Sequence, residues 1–285
     1  MPKQIIHCKL CQDFGPAADA HVIPKAFYEI SKNGNDYLDV ITSKAWERTS
    51  KSRNGFYDQK LLCQKCESRY SSIDHRGIEI LLKSNREPYK EGSGIAFDFE
   101  IIRDIDPIKL NDFLVFLVWR ILASDLDPFK KAINPNIEQK LRELLLTETA
   151  GSHANLQVFF QKISHNLPMP KELNLLLNGS VYMSELEDNQ ILNIGLGDLL
   201  LMANLGAHYI QPPLGILAFP DCIHHASGLL IFSSEEHSIR HIQRIQQITT
   251  AKASEMKIMD MARRVIKRFP NPKLSPRRIK AKNKL

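Results

Sequence analysis

Four cysteines stand in two C-x2-C pairs, Cys8 with Cys11 and Cys63 with Cys66. Each pair places two sulfurs on one tight knuckle. Two knuckles complete a tetrahedral thiolate shell, the closed geometry of a structural zinc ion, with no position left for a reacting group. A redox dithiol needs only one pair, set at a helix N-terminus, so the doubled motif points to metal. Between the pairs lies Asp19-Ala20-His21-Val22-Ile23-Pro24-Lys25, and Glu67 directly follows the second pair. A histidine ordinarily titrates near neutrality and suits general acid–base work. A carboxylate is a hard ligand for a divalent cation. Two other roles stay open at this stage: His21 as a packed residue shaping the metal loop, and Glu67 as a favourable charge at a helix start.

The elements that must position these residues are short at first. Residues 1–90 are polar, rich in Cys, Lys and Asp, and poor in long apolar runs. Metal binding would supply stabilisation that burial alone cannot. Asn33-Gly34-Asn35 and Asn54-Gly55 are turn signals, and residues 37–41 between them read as a short strand. After Cys66, the pattern Tyr70, Ile73, Ile78, Ile80, Leu81 suggests a helix with Gly77 as its point of interruption.

Glu91-Gly92-Ser93-Gly94 marks the expected boundary. Beyond it, residues 111–124 are apolar nearly all round, which predicts a buried helix. Its aromatics, Phe113, Phe116 and Trp119, read as core; Arg120 within it either meets a buried acid or reaches a phosphate. Asn134-Pro135-Asn136 precedes a second helix over 137–147. Residues 156–160, 181–183, 191–194 and 229–232 read as strands. Ser233-x-x-Glu236 is a capping-box pattern opening a long helix on which Ile239, Ile242, Ile245 and Ile248 share a face. Pro270, Pro272 and Pro276 end that helical pattern.

The order of the N-terminal motifs resembles the four-cysteine zinc subgroup of HNH nucleases, the His-Me finger or ββα-metal family. The likeness covers residues 8–75: a Cys pair, then His21-Val22-Ile23-Pro24, then Asp58, then Leu62-Cys63-Gln64-Lys65-Cys66-Glu67. The resemblance implies a structural zinc and a second, catalytic metal, Mg²⁺ or Mn²⁺. It implies His21 as the general base, Asp58 as the residue pinning the loop that carries the base, and Glu67 as a ligand of the catalytic metal. One position departs from the family pattern: Ala20 stands where active members carry Asp, Glu or His. Either Asp58, Asp74 or His75 then completes the metal site, or the nuclease centre is degenerate. By likeness to free-standing bacterial HNH proteins, restriction or phage defence is the implied setting.

Residues 262–285 carry ten Lys or Arg and no acid. Without that tail the chain holds 28 basic and 32 acidic residues, so the formal net charge of +6 belongs to the tail. Arg263, Arg264, Lys267, Arg268, Arg277 and Arg278 are the expected phosphate contacts, with DNA as the first partner. A protein partner or a homo-oligomer stays open. Cys222, His224 and His225 form a small cluster whose spacing fits no common site. No P-loop or dinucleotide fingerprint occurs between residues 91 and 262. No signal-peptide core or membrane-spanning run is legible, and free thiols suit a reducing compartment, so a cytoplasmic protein is expected.

The expected architecture is α+β. A ββα-metal zinc module spans residues 1–90, an α+β accessory or specificity domain ending in a long helix spans 91–269, and a basic tail spans 270–285. Two functions besides cleavage remain open: nucleic-acid binding by a degenerate zinc scaffold, and docking of a protein partner.

Overall fold

The computed structural model describes residues 3–31, 38–40, 50–52, 55–89, 98–126, 129, 132, 134–147, 156–162, 181–186, 189–206 and 228–233. In chain order the elements begin with β1 (Ile5–His7), β2 (Phe14–Pro16), β3 (Ala20–His21), α1 (Lys25–Ser31), β4 (Leu38–Val40), β5 (Ser50–Ser52), β6 (Tyr57–Asp58) and α2 (Gln64–Ile78). A π-helical turn, Glu79–Lys83, continues α2. Then follow β7 (Glu87–Tyr89), β8 (Asp98–Arg103), α3 (Pro107–Ala123), α4 (Pro135–Leu146), β9 (Val158–Lys162), β10 (Val181–Leu186), β11 (Asn189–Leu196), β12 (Leu199–Asn204) and β13 (Gly228–Ser233). The class is α+β: small antiparallel pairs and helices at the N-terminus, then a seven-stranded sheet.

Three small pairs precede the large sheet: β1 with β2, β3 with β6, and β4 with β5, all antiparallel. The large sheet runs β10-β11-β12-β9-β13-β8-β7, antiparallel except where β13 lies parallel to β9. Gly197 turns the β11–β12 hairpin at φ 68°, and Arg86 forks onto the neighbouring Asp198 at 2.7 and 3.2 Å.

α3 begins at Pro107, four residues ahead of the start expected at 111, because a cap and a proline open it there. Pro107 occupies the first turn, and the Asp106 carboxylate accepts from the Lys109 N–H at 3.1 Å. Residues 113–119 are each 0–1% exposed. Each fully buried Leu, Val or Phe contributes about 1.5–3 kcal/mol, so this helix is the centre of the core. One apolar cluster runs from Leu10, Val22, Phe27 and Leu61, across α3, to Phe160, Leu192 and Leu201 in the sheet. Thus burial supports the N-terminal module as well as any metal, and α3 provides it. α4 starts at an Asn134 cap, whose side chain accepts from the Ile137 N–H at 3.3 Å, as the Asn-Pro signal predicts.

Two readings of the sequence change. The helix after Cys66 is not interrupted at Gly77; α2 runs through it. Glycine stands there because a Cβ would lie 2.2 Å from two ring atoms of Phe113 on α3. The structure adds the strands β8 and β12; residues 199–203 form an apolar run without the alternation of a half-exposed strand. Residues 37–41 do contain a strand, β4. The long helix after Ser233 and the tail after Pro270 lie outside the described residues. Among the described residues no helix is long and apolar enough to cross a membrane.

Candidate functional site

The first knuckle is a hairpin turn between β1 and β2. The Cys8 N–H donates to the Asp13 carbonyl and the Gln12 N–H to the Cys8 carbonyl, both at 2.9 Å. Gln12 takes a left-handed φ of 63°, uncommon for a side chain of its size, and this closes the loop. The second knuckle leads from β6 into α2: Cys63 is the N-cap residue and Cys66 lies in the first turn. Backbone bonds lock the knuckles together, Lys9 N–H to the Leu61 carbonyl and Ala18 N–H to the Leu62 carbonyl, both at 3.0 Å. Gly15 approaches so closely that a Cβ there would stand 3.1 Å from Cys63 Cβ.

These constraints bring one sulfur from each of Cys8, Cys11, Cys63 and Cys66 within 4.8 Å of all the others. The Cys11 and Cys63 sulfurs are 3.9 Å apart. A tetrahedral zinc thiolate with bonds of ~2.3 Å separates its sulfurs by about 3.8 Å, so the cluster is the right size for one metal ion such as zinc. Burial and the neighbouring Cys8 push the Cys66 thiol far up, and burial raises Cys11. Cys8 is driven the other way: burial alone would raise it, but backbone N–H groups led by that of Cys63 hold it below the usual thiol range. Crowded thiols of this kind lose their protons together when a cation arrives.

β3 and β6 form a two-residue ladder beside this cluster. Ala20 faces Asp58, and His21 faces Tyr57. Side chains alternate across a strand, so the two pairs face opposite ways. Ala20 is 0% and Asp58 4% exposed, whereas Tyr57 is exposed and His21 half-buried. The His21 and Tyr57 rings lie 6.3 Å apart. Asp58 accepts from the Lys60 N–H through Oδ1 and from the Ser124 hydroxyl through Oδ2, both at 2.9 Å. It therefore ties the loop before Cys63 to α3, on the face away from the His21 side chain.

Glu67 lies in the first turn of α2. Loss of hydration raises its pKa; the nearby Arg120 cation opposes that rise and Asp74 reinforces it. Asp74 sits two turns further along the same helix face. Arg120 resolves the choice posed by the sequence. Its 0%-exposed side chain meets an acid: Nη1 donates to Asp74 Oδ2 at 2.7 Å and Nη2 to Asp74 Oδ1 at 2.6 Å. Nη1 also donates to the main-chain carbonyl of His21 at 2.9 Å. Sequence reading missed this pairing because 46 positions separate the partners; the available signal was an Arg in an otherwise apolar helix, which requires a buried counter-charge.

His75 points elsewhere, to the exposed Glu79 at 3.1 Å. Asp19 takes a hydrogen bond from Gln59 at 2.7 Å. Among the described residues, the four cysteines are the single group of three or more Cys, His, Asp or Glu side chains that converges on one point. The expected phosphate contacts Arg263, Arg264, Lys267, Arg268, Arg277 and Arg278, and the cluster Cys222, His224 and His225, lie outside the described residues. Comparison with family models, curated proteins and solved structures returns no match.

Proposed function

We propose that the chain is a metal-dependent nuclease of the HNH type, hydrolysing nucleic-acid phosphodiesters, with zinc in the four-cysteine cluster as a structural ion. One observation carries the reading: the cluster ties the β1–β2 turn to the start of α2, directly after β6, so that His21 ends the strand paired with β6 and Glu67 lies in the first turn of the helix the cysteines anchor. With four protein sulfurs, the zinc has no open position and acts on the fold alone. His21 takes a proton from the attacking water; the water oxygen bonds to phosphorus, and the bond from phosphorus to the leaving sugar oxygen breaks. Asp58 holds the loop and does not touch the reacting atoms.

A hard divalent cation is commonly bound through one or two carboxylates, with waters and substrate phosphate oxygens completing the shell. Glu67 suits that donor role, since its carboxylate is partly desolvated in the first turn of α2. Such a cation, Mg²⁺ or Mn²⁺, would supply charge to stabilise the departing oxygen.

A second reading is favoured by two specific observations. Asp74 is already neutralised by Arg120, and Ala20 is fully buried, so no acid accompanies His21 on its strand. In that reading the module binds nucleic acid without cutting it. Purified protein and His21→Ala, each incubated with plasmid DNA and structured RNA in Mg²⁺, Mn²⁺ or EDTA, separate the two. Cleavage that requires added metal and vanishes in His21→Ala supports the nuclease. Salt-sensitive binding that is equal in both proteins, with no cleavage, supports the binding scaffold. Neither cleavage nor binding would overturn both.

A further inference from the structure

We propose that Arg120, carried by α3 outside the cysteine-bearing segments, is the positioning residue for His21: its guanidinium clamps the main chain of β3 to Asp74 on the metal-anchored α2. The inference rests on the nuclease reading only in taking His21 as the base.

Among the described residues β3 pairs with the equally short β6, and one further bond, Val22 N–H to the Phe56 carbonyl at 3.1 Å, extends the ladder past His21. So short a two-stranded pair is marginal without further contacts. The last turn of α3 supplies what the ladder lacks. Arg120 holds the His21 carbonyl, Ser124 holds the Asp58 carboxylate of β6, and Lys9 from the first knuckle donates to the Ala123 carbonyl at 2.6 Å. One helical turn therefore grips both strands of the pair and the metal loop.

Within this grip Arg120 has the exacting geometry. A planar fork satisfies both oxygens of Asp74 while one of its nitrogens also reaches His21, and the guanidinium carbon lies 4.3 Å over the Phe116 ring. A lysine ammonium cannot reproduce that set, since it is a compact point charge with no fork. Asp74 is held in turn, because α2 begins at Cys63 and Cys66. The order of constraint runs from the cysteine cluster through α2 and Asp74 to Arg120, and ends on the backbone of His21.

The test uses full-length protein labelled with ¹³C and ¹⁵N in histidine, as wild type, Arg120→Lys, Asp74→Asn and the control Val118→Ala. Val118 is fully buried on the same helix, and its side chain carries no hydrogen-bonding group. The readouts are zinc per chain, the His21 imidazole signals (assigned by their loss in His21→Ala), and kcat and KM for cleavage. Arg120→Lys is expected to keep its zinc, to shift or broaden the His21 signals, and to lower kcat by about 10–100-fold with KM little changed. Val118→Ala is expected to lose stability yet keep the His21 signals and kcat. Wild-type His21 signals and kcat in Arg120→Lys would overturn the proposal, as would the same His21 changes in Val118→Ala. Should Arg120→Lys fail to fold, Asp74→Asn decides by its His21 signals alone: displaced signals support positioning and unchanged ones refute it. Should the wild type cleave nothing, the nuclease reading fails, but the imidazole signals still decide whether Arg120 orders His21.

Discussion

Gly77→Ala tests the helix contact on which the arrangement depends, because two effects of opposite sign compete at that position. Gly77 is buried inside α2. Replacing glycine by alanine in a helix interior gains about 1 kcal/mol of helix propensity. Here, however, the new Cβ would stand 2.2 Å from Cγ and Cδ2 and 2.6 Å from Cδ1 of Phe113. Carbon atoms rest at about 3.5–4.0 Å, so the overlap exceeds 1 Å at two atoms. Phe113 cannot turn aside easily, being 0% exposed and stacked on Phe27 at a centroid distance of 6.1 Å. α3 must therefore move away from α2. Overpacking of one methyl group costs about 1–3 kcal/mol, and so rigid a neighbour places this site at the upper end. The expected net loss is about 1–2 kcal/mol, read as a lower urea midpoint at unchanged slope. Phe113→Leu removes the ring that collides, so the double variant should lose at least ~1 kcal/mol less than the sum of the singles. A Gly77→Ala protein as stable as wild type, or a double variant that is simply additive, would refute the close approach of α2 and α3.

Two further outcomes follow from the site. Cys63→Ser should lose stoichiometric zinc at pH 7, measured by colorimetric metal release. About 10–16 kcal/mol of binding free energy is typical of structural zinc sites, so a large drop in stability should accompany the loss; full zinc retention would show that the four sulfurs do not share an ion. Wild-type affinity should fall as pH falls, because bound thiols must be deprotonated. Glu67→Gln should be more stable than wild type at pH 7 without added divalent cation. The folded-state pKa of Glu67 is raised, chiefly by lost hydration, so the native state holds that proton more tightly than the unfolded chain does. Stability from this group is thus lost as pH rises from the unfolded value toward the folded one, and the advantage of glutamine narrows toward acid pH. Added Mg²⁺ or Mn²⁺ should raise the urea midpoint of wild type and not of the variant; a destabilised Glu67→Gln, or equal cation effects, would count against Glu67 as a carboxylate held ready for metal.

What the sequence determined by itself is what short-range chemistry can specify. Two C-x2-C pairs need no tertiary information to place two sulfurs on each knuckle, and the structure brings all four together. Asn134 ahead of Pro135 specified the start of α4, and an all-round apolar pattern specified a buried α3, because cap chemistry and helical periodicity are local. Tertiary structure decided the rest. Gly77 reads as a helix breaker in isolation, yet it is the groove that admits Phe113 from α3. The run at residues 199–203 lacks alternation because successive side chains, on both faces of β12, are buried. Arg120 could be given no partner from sequence, since its choice of Asp74 and the His21 carbonyl depends on how α3 crosses α2 and β3. Local motifs name the groups able to do chemistry, but side chains distant in sequence set their orientation and charge, and those distances close only when the core packs.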